Sequence, residues 1–345
     1  MDKKLKLTES IYILKESEDI YSTIYTSIRK VKKFRVDNLV KEVIEELKNP
    51  RNEKYLFDKL SKKYPKKDIS DCINALEHEG ILSKYDDSDI NEKYSKQVLF
   101  INELTNSWEE SIRLQRKIES SKIAVFGIGG IGTWIVNGLS QIGVGEIRIV
   151  DPDKVSISNL NRQLFFNEKD IGKYKVDVIE SKLPDINIIS YKKFISKEQN
   201  LEKIIKGVDF IVNCADSPSI EETSRIINNY SERYNIPYAI SGGYNLHLGM
   251  VGPIIIPGKT ATFNDFLNYQ KKDDPFSKLE KIKDIEQTGN LGPIAGTIAN
   301  LQVMEILKYL IGKGEINLNK FAEIDFMNLN VKWIDFSEIA SPKNI

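Results

Sequence analysis

Residues 122–163 read KIAVFGIGGIGTWIVNGLSQIGVGEIRIVDPDKVSISNLNRQ, and this stretch decides the fold. Ile123–Phe126 is a short apolar strand. Gly127, Gly129, Gly130 and Gly132 follow at once, and a helical apolar pattern then runs over residues 131–142. A second strand, Ile147–Val150, ends in Asp151. Strand, glycine turn, helix and strand make a parallel βαβ unit. Glycine lets backbone N–H groups approach phosphate closely, and the start of the helix adds partial positive charge. An acidic side chain about 20 residues further on is placed to bind ribose hydroxyls. The rest of the stretch narrows the chemistry. Asp151 and Asp153 are followed by Ser158-Asn159-Leu160-Asn161-Arg162-Gln163. An arginine among amides suits charge developing on a triphosphate, with Asn159 and Gln163 orienting it. That equipment fits activation of a carboxyl or amide group with ATP better than hydride transfer.

Outward from this unit, strands and helices keep alternating. Strands are expected at Phe210–Asn213 and Tyr238–Ser241, another within PDINIISYKKF, and a hairpin within FAEIDFMNLNVKWIDF. Helices are expected near 173–183 and 219–234. The fold class is therefore α/β, a Rossmann-like, mostly parallel sheet with helices on both faces. Lys173 and Lys175 open one helix, and Lys175 is the better candidate to reach phosphate as a point charge. Asn213-Cys214-Ala215-Asp216-Ser217 closes a strand. Ligands of open α/β sheets bind beyond the carboxyl ends of strands, so Asp216 is placed to hold Mg²⁺ beside the phosphates. Its bland role would be a helix N-cap. Cys214 reads as a core thiol.

The first ninety residues differ. SIYILKESEDIYSTIY reads as a β-hairpin, and three helical segments follow (VDNLVKEVIEEL, KYLFDKLSKKY and KKDISDCINALEHEGIL), the last running into a Gly-Ile-Leu strand. This is a small α+β, winged-helix-like domain over 1–90. DDSDINEKYS, residues 86–95, reads as a linker, and a second domain is expected over 91–345. A length of 345 residues suits about two domains. Lys+Arg and Asp+Glu both number 50. That balance offers no global attraction to nucleic acid or anionic membrane, and the first ninety residues are not markedly basic. No signal core or spanning apolar run is evident, which leads to an expectation of a cytoplasmic protein. The only cysteines are Cys72 and Cys214 and the only histidines His78 and His247. No Cys-x-x-Cys pair exists, so zinc is not expected.

The motifs GIGGIG, DPDKVSISNLNRQ, GKYKVDV, NCADS and LGPIAGTIANLQVMEILKYLIG span roughly 100–312 and resemble the ubiquitin-activating-type superfamily that includes ThiF and MoeB. The resemblance implies ATP- and Mg²⁺-dependent adenylation of a C-terminal carboxylate, usually by a homodimer in which the arginine matching Arg162 reaches the partner's site. KYSKQVLF, CADSPS and YNIPYAISGGYNLHLGMVGPIIIPGKT resemble the MccB-like, microcin C-type peptide adenylyltransferases. In that branch the N-terminal domain clamps a ribosomally made precursor peptide, and a sheet edge near residues 11–26 would grip the leader. The chain departs from the wider family in lacking zinc cysteines and a thioester cysteine. It also has no arginine after Asp216-Ser217 until Arg225.

The expected function is thus ATP-dependent adenylation of a precursor peptide, followed by nucleotide conjugation or cyclisation. Arg162, Lys175 and Asp216 are the candidate catalytic residues. Gly127, Gly129, Gly130, Gly132, Asp151, Asp153, Asn159 and Gln163 are the candidate nucleotide-binding residues. The alternatives are a non-catalytic leader-binding subunit and a ThiF- or MoeB-like activator of a sulfur carrier protein.

Overall fold

The computed structural model describes residues 4–25, 29–85, 91–105, 107–241, 243–272, 282–283 and 289–339. Of the expected linker, residues 86–90 lie outside the described residues, as does Thr26 at the end of the expected hairpin. The chain divides into two compact units, Met1–Lys117 and Ile118–Ile345.

The first unit holds strands β1 (Lys4–Leu7), β2 (Ile11–Lys15), β3 (Ile20–Tyr25) and β4 (Lys30–Arg35), helix α1 (Asn38–Glu46), strand β5 (Arg51–Asn52), helices α2 (Glu53–Leu60) and α3 (Lys66–His78), strand β6 (Leu82–Tyr85), and helices α4 (Ser95–Thr105) and α5 (Trp108–Ser120), whose last residues fall in the second unit. Two antiparallel sheets form, ordered β5-β1-β6 and β2-β3-β4. The expected hairpin is β2–β3, with Ile13 opposite Thr23. The third strand, KVKKFR, was not expected, because lysine is a poor strand former. Its register on β3, Tyr21 against Phe34 and Ile24 against Val31, supplies cross-strand pairs that override that preference. Ile13 and Phe34 turn onto a core of Leu39, Val43, Leu56, Ile69 and Ile73. Asp37 caps α1 by accepting from Val40 N at 2.8 Å, and Asn52 caps α2 by accepting from Tyr55 N at 3.0 Å. Between β3, β4 and α3 lies a groove of 580 Å³, with Tyr25, Lys32, Phe34, Val40, Cys72 and Leu76 in its walls.

The second unit runs β7 (Lys122–Phe126), α6 (Gly130–Ile142), β8 (Glu146–Val150), α7 (Lys175–Lys182), β9 (Asn187–Tyr191), α8 (Glu202–Ile205), β10 (Phe210–Asn213), α9 (Ile220–Tyr234), β11 (Tyr238–Ile240), β12 (Tyr244–Asn245), β13 (Leu248–Val251), β14 (Ile254–Ile255), α10 (Phe263–Lys272), α11 (Gly292–Ile311), β15 (Lys320–Asp325) and β16 (Asn330–Asp335). The main sheet is ordered β14-β11-β10-β7-β8-β9, parallel except for β14. The order reverses between β7 and β10, which makes the switch point at which such sheets bind ligands. Register sharpens this. Tyr191, Val150, Phe126, Asn213 and Ile240 stand side by side across five strands. The segments that follow them therefore all leave the sheet at one edge.

A second sheet, β12-β13-β15-β16, contains the expected C-terminal hairpin. The view that no apolar run could span a bilayer needs correction. Helix α11, with 20 residues, is long and apolar enough by length and composition. It is a core helix all the same. Some 67% of its apolar window is buried, and Ile298, Ala299 and Ile306 are fully enclosed.

Candidate active site

The turn after β7 is shaped by what its glycines lack. Gly127 has φ +84°, and a Cβ there would lie 2.6 Å from Ala215 N and 2.7 Å from Cys214 C. The end of β10 is thus packed directly on the turn. A Cβ on Gly132 would meet the Gly127 carbonyl oxygen at 1.9 Å, so this glycine lets the turn fold back on the helix. Around Gly129 nothing lies within 4 Å of a Cβ position, and the backbone there is open to the cleft. The cleft has a volume of 940 Å³.

All the sequence-based candidates except Gly132 line this cleft: Gly127, Gly129, Gly130, Asp151, Asp153, Asn159, Arg162, Gln163, Lys175 and Asp216. Gly132 lies beneath the turn. Asp151 is 5% exposed, and it organises the floor. Its Oδ2 accepts from Ile128 N at 2.6 Å, and its Oδ1 accepts from Asp153 N at 2.8 Å. Burial pushes its carboxyl above the ordinary aspartate range, while Lys175 and the two N–H groups pull it back.

The structure separates the two candidate lysines. Lys173 bonds Asp170 at 3.2 Å, whereas Lys175 is buried in the cleft wall. Lys175 is not a free point charge in this geometry. Its Nζ donates to Asp153 at 2.8 Å and stands 3.8 Å from Asp151. The pair of carboxylates around one ammonium leaves the cleft floor with an excess of one negative charge.

The segment 156–163 does two things at once. The amide oxygen of Asn159 accepts from Ser156 N at 3.0 Å in a capping box, so this side chain also holds the local turn. Arg162 Nη1 donates to the Ser158 carbonyl and to Asn161 Oδ1, holding the guanidinium at the cleft wall. Gln163 is 4% exposed, and its Oε1 has no partner among the described residues. A buried acceptor left open in a cleft wall is costly without a ligand or water to meet it.

The segment after β10 is held from behind. Asn213 Nδ2 donates to Thr223 Oγ1 and Ser224 Oγ at 3.1 and 2.9 Å, and Thr223 donates to the Ala215 carbonyl at 2.6 Å. Asp216 does not cap α9. Ser219 does, accepting from Glu222 N at 3.1 Å. The Asp216 carboxylate is exposed, with no hydrogen-bond partner among the described residues. Cys214 lines the cleft, but burial pushes its thiol up to about 12, so it is no thiolate at neutral pH. Arg225 is not a cleft residue. It pairs with Glu221 at 2.8 Å and donates to Asn264 at 3.1 Å.

Sequence reasoning missed several lining residues: Lys193, Phe194, Tyr244 and Asn290. Phe194 is 43% exposed. They reach the cleft from three segments, Lys193 and Phe194 together after β9, Tyr244 on β12 and Asn290 before α11, and no chemistry-bearing pattern singled them out.

Among known proteins, a probable molybdopterin-synthase adenylyltransferase of Gracilaria tenuistipitata var. liui is 29% identical over 208 residues, 59% of this chain and 54% of that protein. The chain thus spans about half the length of that relative. The molybdopterin-synthase adenylyltransferase of Haemophilus influenzae is 27% identical over 237 residues, 67% of this chain and 89% of that protein. The fold is similar to E. coli MccB, whose structure with selenomethionyl MccA aligns over 98% of both chains with TM-score 0.71 and 24% identity. A structure of MccB with ATP gives TM-score 0.70 and 23% identity over the same shares. The ThiF family pattern matches residues 94–344, which is most of the chain and all of the cleft's lining segments, and the chain belongs to the ThiF family.

Proposed function

We propose that the chain adenylates a carboxyl or carboxamide group of a ribosomally made peptide, using ATP and Mg²⁺. The observation that carries this reading is the convergence of an open glycine turn, Asp151, Arg162 and Asp216 in one cleft at the sheet's switch point. In this reading the first turn of α6 and the open backbone at Gly129 hold phosphate oxygens. Asp151 still has lone pairs for ribose hydroxyls after accepting two N–H groups. The substrate oxygen attacks the α-phosphorus in line, the bond to the β-phosphate breaks, and pyrophosphate leaves. Arg162 balances the developing charge, Asn159 and Gln163 orient the phosphates, and Lys175 offsets the two aspartates or swings to phosphate.

No group of three His, Cys, Asp or Glu side chains converges as a metal site among the described residues. One exposed carboxylate, Asp216, suits an ion that takes its other ligands from phosphate and water. Bound there, Mg²⁺ would neutralise phosphate charge.

The peptide is assigned to the N-terminal part, residues 1–90, with catalysis in 91–345. E. coli MccB has been seen with MccA, and the groove beside β4 offers an apolar floor under Lys32, Lys33 and Arg35. A peptide strand there could extend the sheet through main-chain hydrogen bonds, since β2 and β4 are its edge strands. A homodimer is the expected assembly. The molybdopterin-synthase relatives favour a second reading, activation of a carrier protein.

Mass spectrometry decides between these. The protein is incubated with Mg²⁺, ATP and short peptides encoded beside its gene, and pyrophosphate is followed in parallel. A peptide heavier by AMP supports conjugation, and one lighter by water supports cyclisation. Turnover only with a carrier protein would favour the second reading. Peptide binding without turnover would leave a leader-binding subunit and end the adenylation proposal.

A further inference from the structure

Most polar groups of the cleft are committed before a nucleotide arrives. Both oxygens of Asp151 accept N–H groups, Lys175 sits on Asp153, and Arg162 is tied to Ser158 and Asn161. Tyr244 adds a hydroxyl, which stands against the side-chain amide of Asn290 and is hydrogen-bonded to Arg162. A tyrosine hydroxyl both accepts and donates, so its proton can turn to a ligand oxygen. Asn290 is itself anchored, since Asn161 Nδ2 donates to its carbonyl at 3.3 Å. The position of the hydroxyl is informative. It lies 3.1 Å from where a Cβ on Gly130 would stand, and Arg162 Cδ lies 3.7 Å from the same point. Gly130 is the first residue of α6, so the hydroxyl stands beside N–H groups that the helix leaves unpaired. Burial raises the Tyr244 pKa and Arg162 opposes it, so the phenol is a neutral donor at neutral pH.

We propose that Tyr244 is a further nucleotide-binding residue of this cleft: its hydroxyl donates to a non-bridging oxygen of the α-phosphoryl group, and Asn290 is the positioning residue that turns it there. The proposal rests on the ATP reading above. Tyr244 keeps its proton throughout. The acyl oxygen–phosphorus bond forms, the α–β phosphoanhydride bond breaks with its electron pair on pyrophosphate, and the tyrosine stabilises charge on the oxygens that stay.

Calorimetric titration tests it without any peptide, using adenosine, AMP and α,β-methylene-ATP with Mg²⁺ on the full chain. Tyr244→Phe keeps the ring and removes only the hydroxyl. It should weaken AMP and the ATP analogue about tenfold while leaving adenosine within twofold. Asn290→Ala should weaken AMP in the same selective way by a smaller factor, with melting curves confirming the fold. Equal losses for adenosine and AMP would make Tyr244 structural, and no loss for either would likewise overturn the proposal. A wild-type chain that binds none of the three overturns the ATP reading itself, and this proposal with it. Wild-type binding with an unaltered Tyr244→Phe overturns the proposal alone.

Discussion

In the nucleotide cleft, charge is buried and bonded in advance: Asp151 and Lys175 are each 5% exposed, and backbone N–H groups do much of the holding. In the N-terminal groove, Lys32, Lys33 and Arg35 stand near the surface over Val40, Ala75 and Leu76. Lys32 pairs with Glu79 at 2.9 Å and Lys33 with Glu16 at 2.6 Å, both partly in solvent. The difference teaches how the two proposed tasks are divided. Phosphate chemistry needs fixed dipoles that do not reorganise during reaction. Holding a peptide needs only an edge, an apolar floor and charges that can change partners. Exposed pairs of this kind are individually weak and screened by salt.

The largest effect should come from breaking the rigid side. Gly127→Ala places a Cβ against the backbone of Ala215 at a left-handed φ. It should cost about 2–5 kcal/mol of stability and abolish nucleotide binding, read by urea melts and titration. Asp216→Ala comes next. Pyrophosphate release should fall about 10²–10³-fold while peptide affinity, followed by fluorescence anisotropy, stays. Full turnover in that variant would sink the Mg²⁺ assignment.

Lys175→Met probes the pH behaviour of the buried charges. Burial raises the Asp151 pKa and Lys175 is the largest influence that lowers it, so removing the cation leaves only the two backbone N–H groups to oppose the raise. On acidification, nucleotide binding that needs the carboxylate should then be lost at a higher pH than in the wild type. The stability sign follows as well. The folded group holds its proton above the ordinary value of 3.8, so Asp151's contribution to stability declines as pH rises from there through its folded pKa.

On the adaptable side, Lys32→Glu combined with Arg35→Glu should weaken peptide about tenfold, and added salt should mimic it in the wild type. ATP-analogue affinity should not change. If both ligands weaken together, the two regions are not independent. The smallest effect belongs to Arg225→Ala. Its guanidinium is spent on Glu221 and Asn264, so turnover should stay within twofold. A large loss would return Arg225 to the phosphates.

The core of the second unit was legible because its signals are local. Ile123–Phe126, Ile147–Val150 and Phe210–Asn213 are apolar runs that fall within observed strands. The cleft's glycines and acids sit directly after them, which is where the switch point needs them. Other features could not be read locally. Lys173 and Lys175 are told apart only by the fold, which leaves one exposed beside Asp170 and buries the other between Asp151 and Asp153. Asp216 and Ser219 compete for one cap, and the backbone path chooses Ser219. Strand β4 is a lysine-rich hexamer whose pairing with β3 outweighs its composition.

The sequence by itself determined the class of the fold and which motifs carry the proposed ligand chemistry. A missing Cβ, a strand or helix period and an acid at a strand end act over a few residues, whatever surrounds them. Only the tertiary structure decided which side chains share the cleft. Asn161 and Asn290 meet across 129 residues of chain, and Tyr244 reaches the start of α6 from another sheet. Such meetings depend on register and packing between distant segments, which no local pattern encodes.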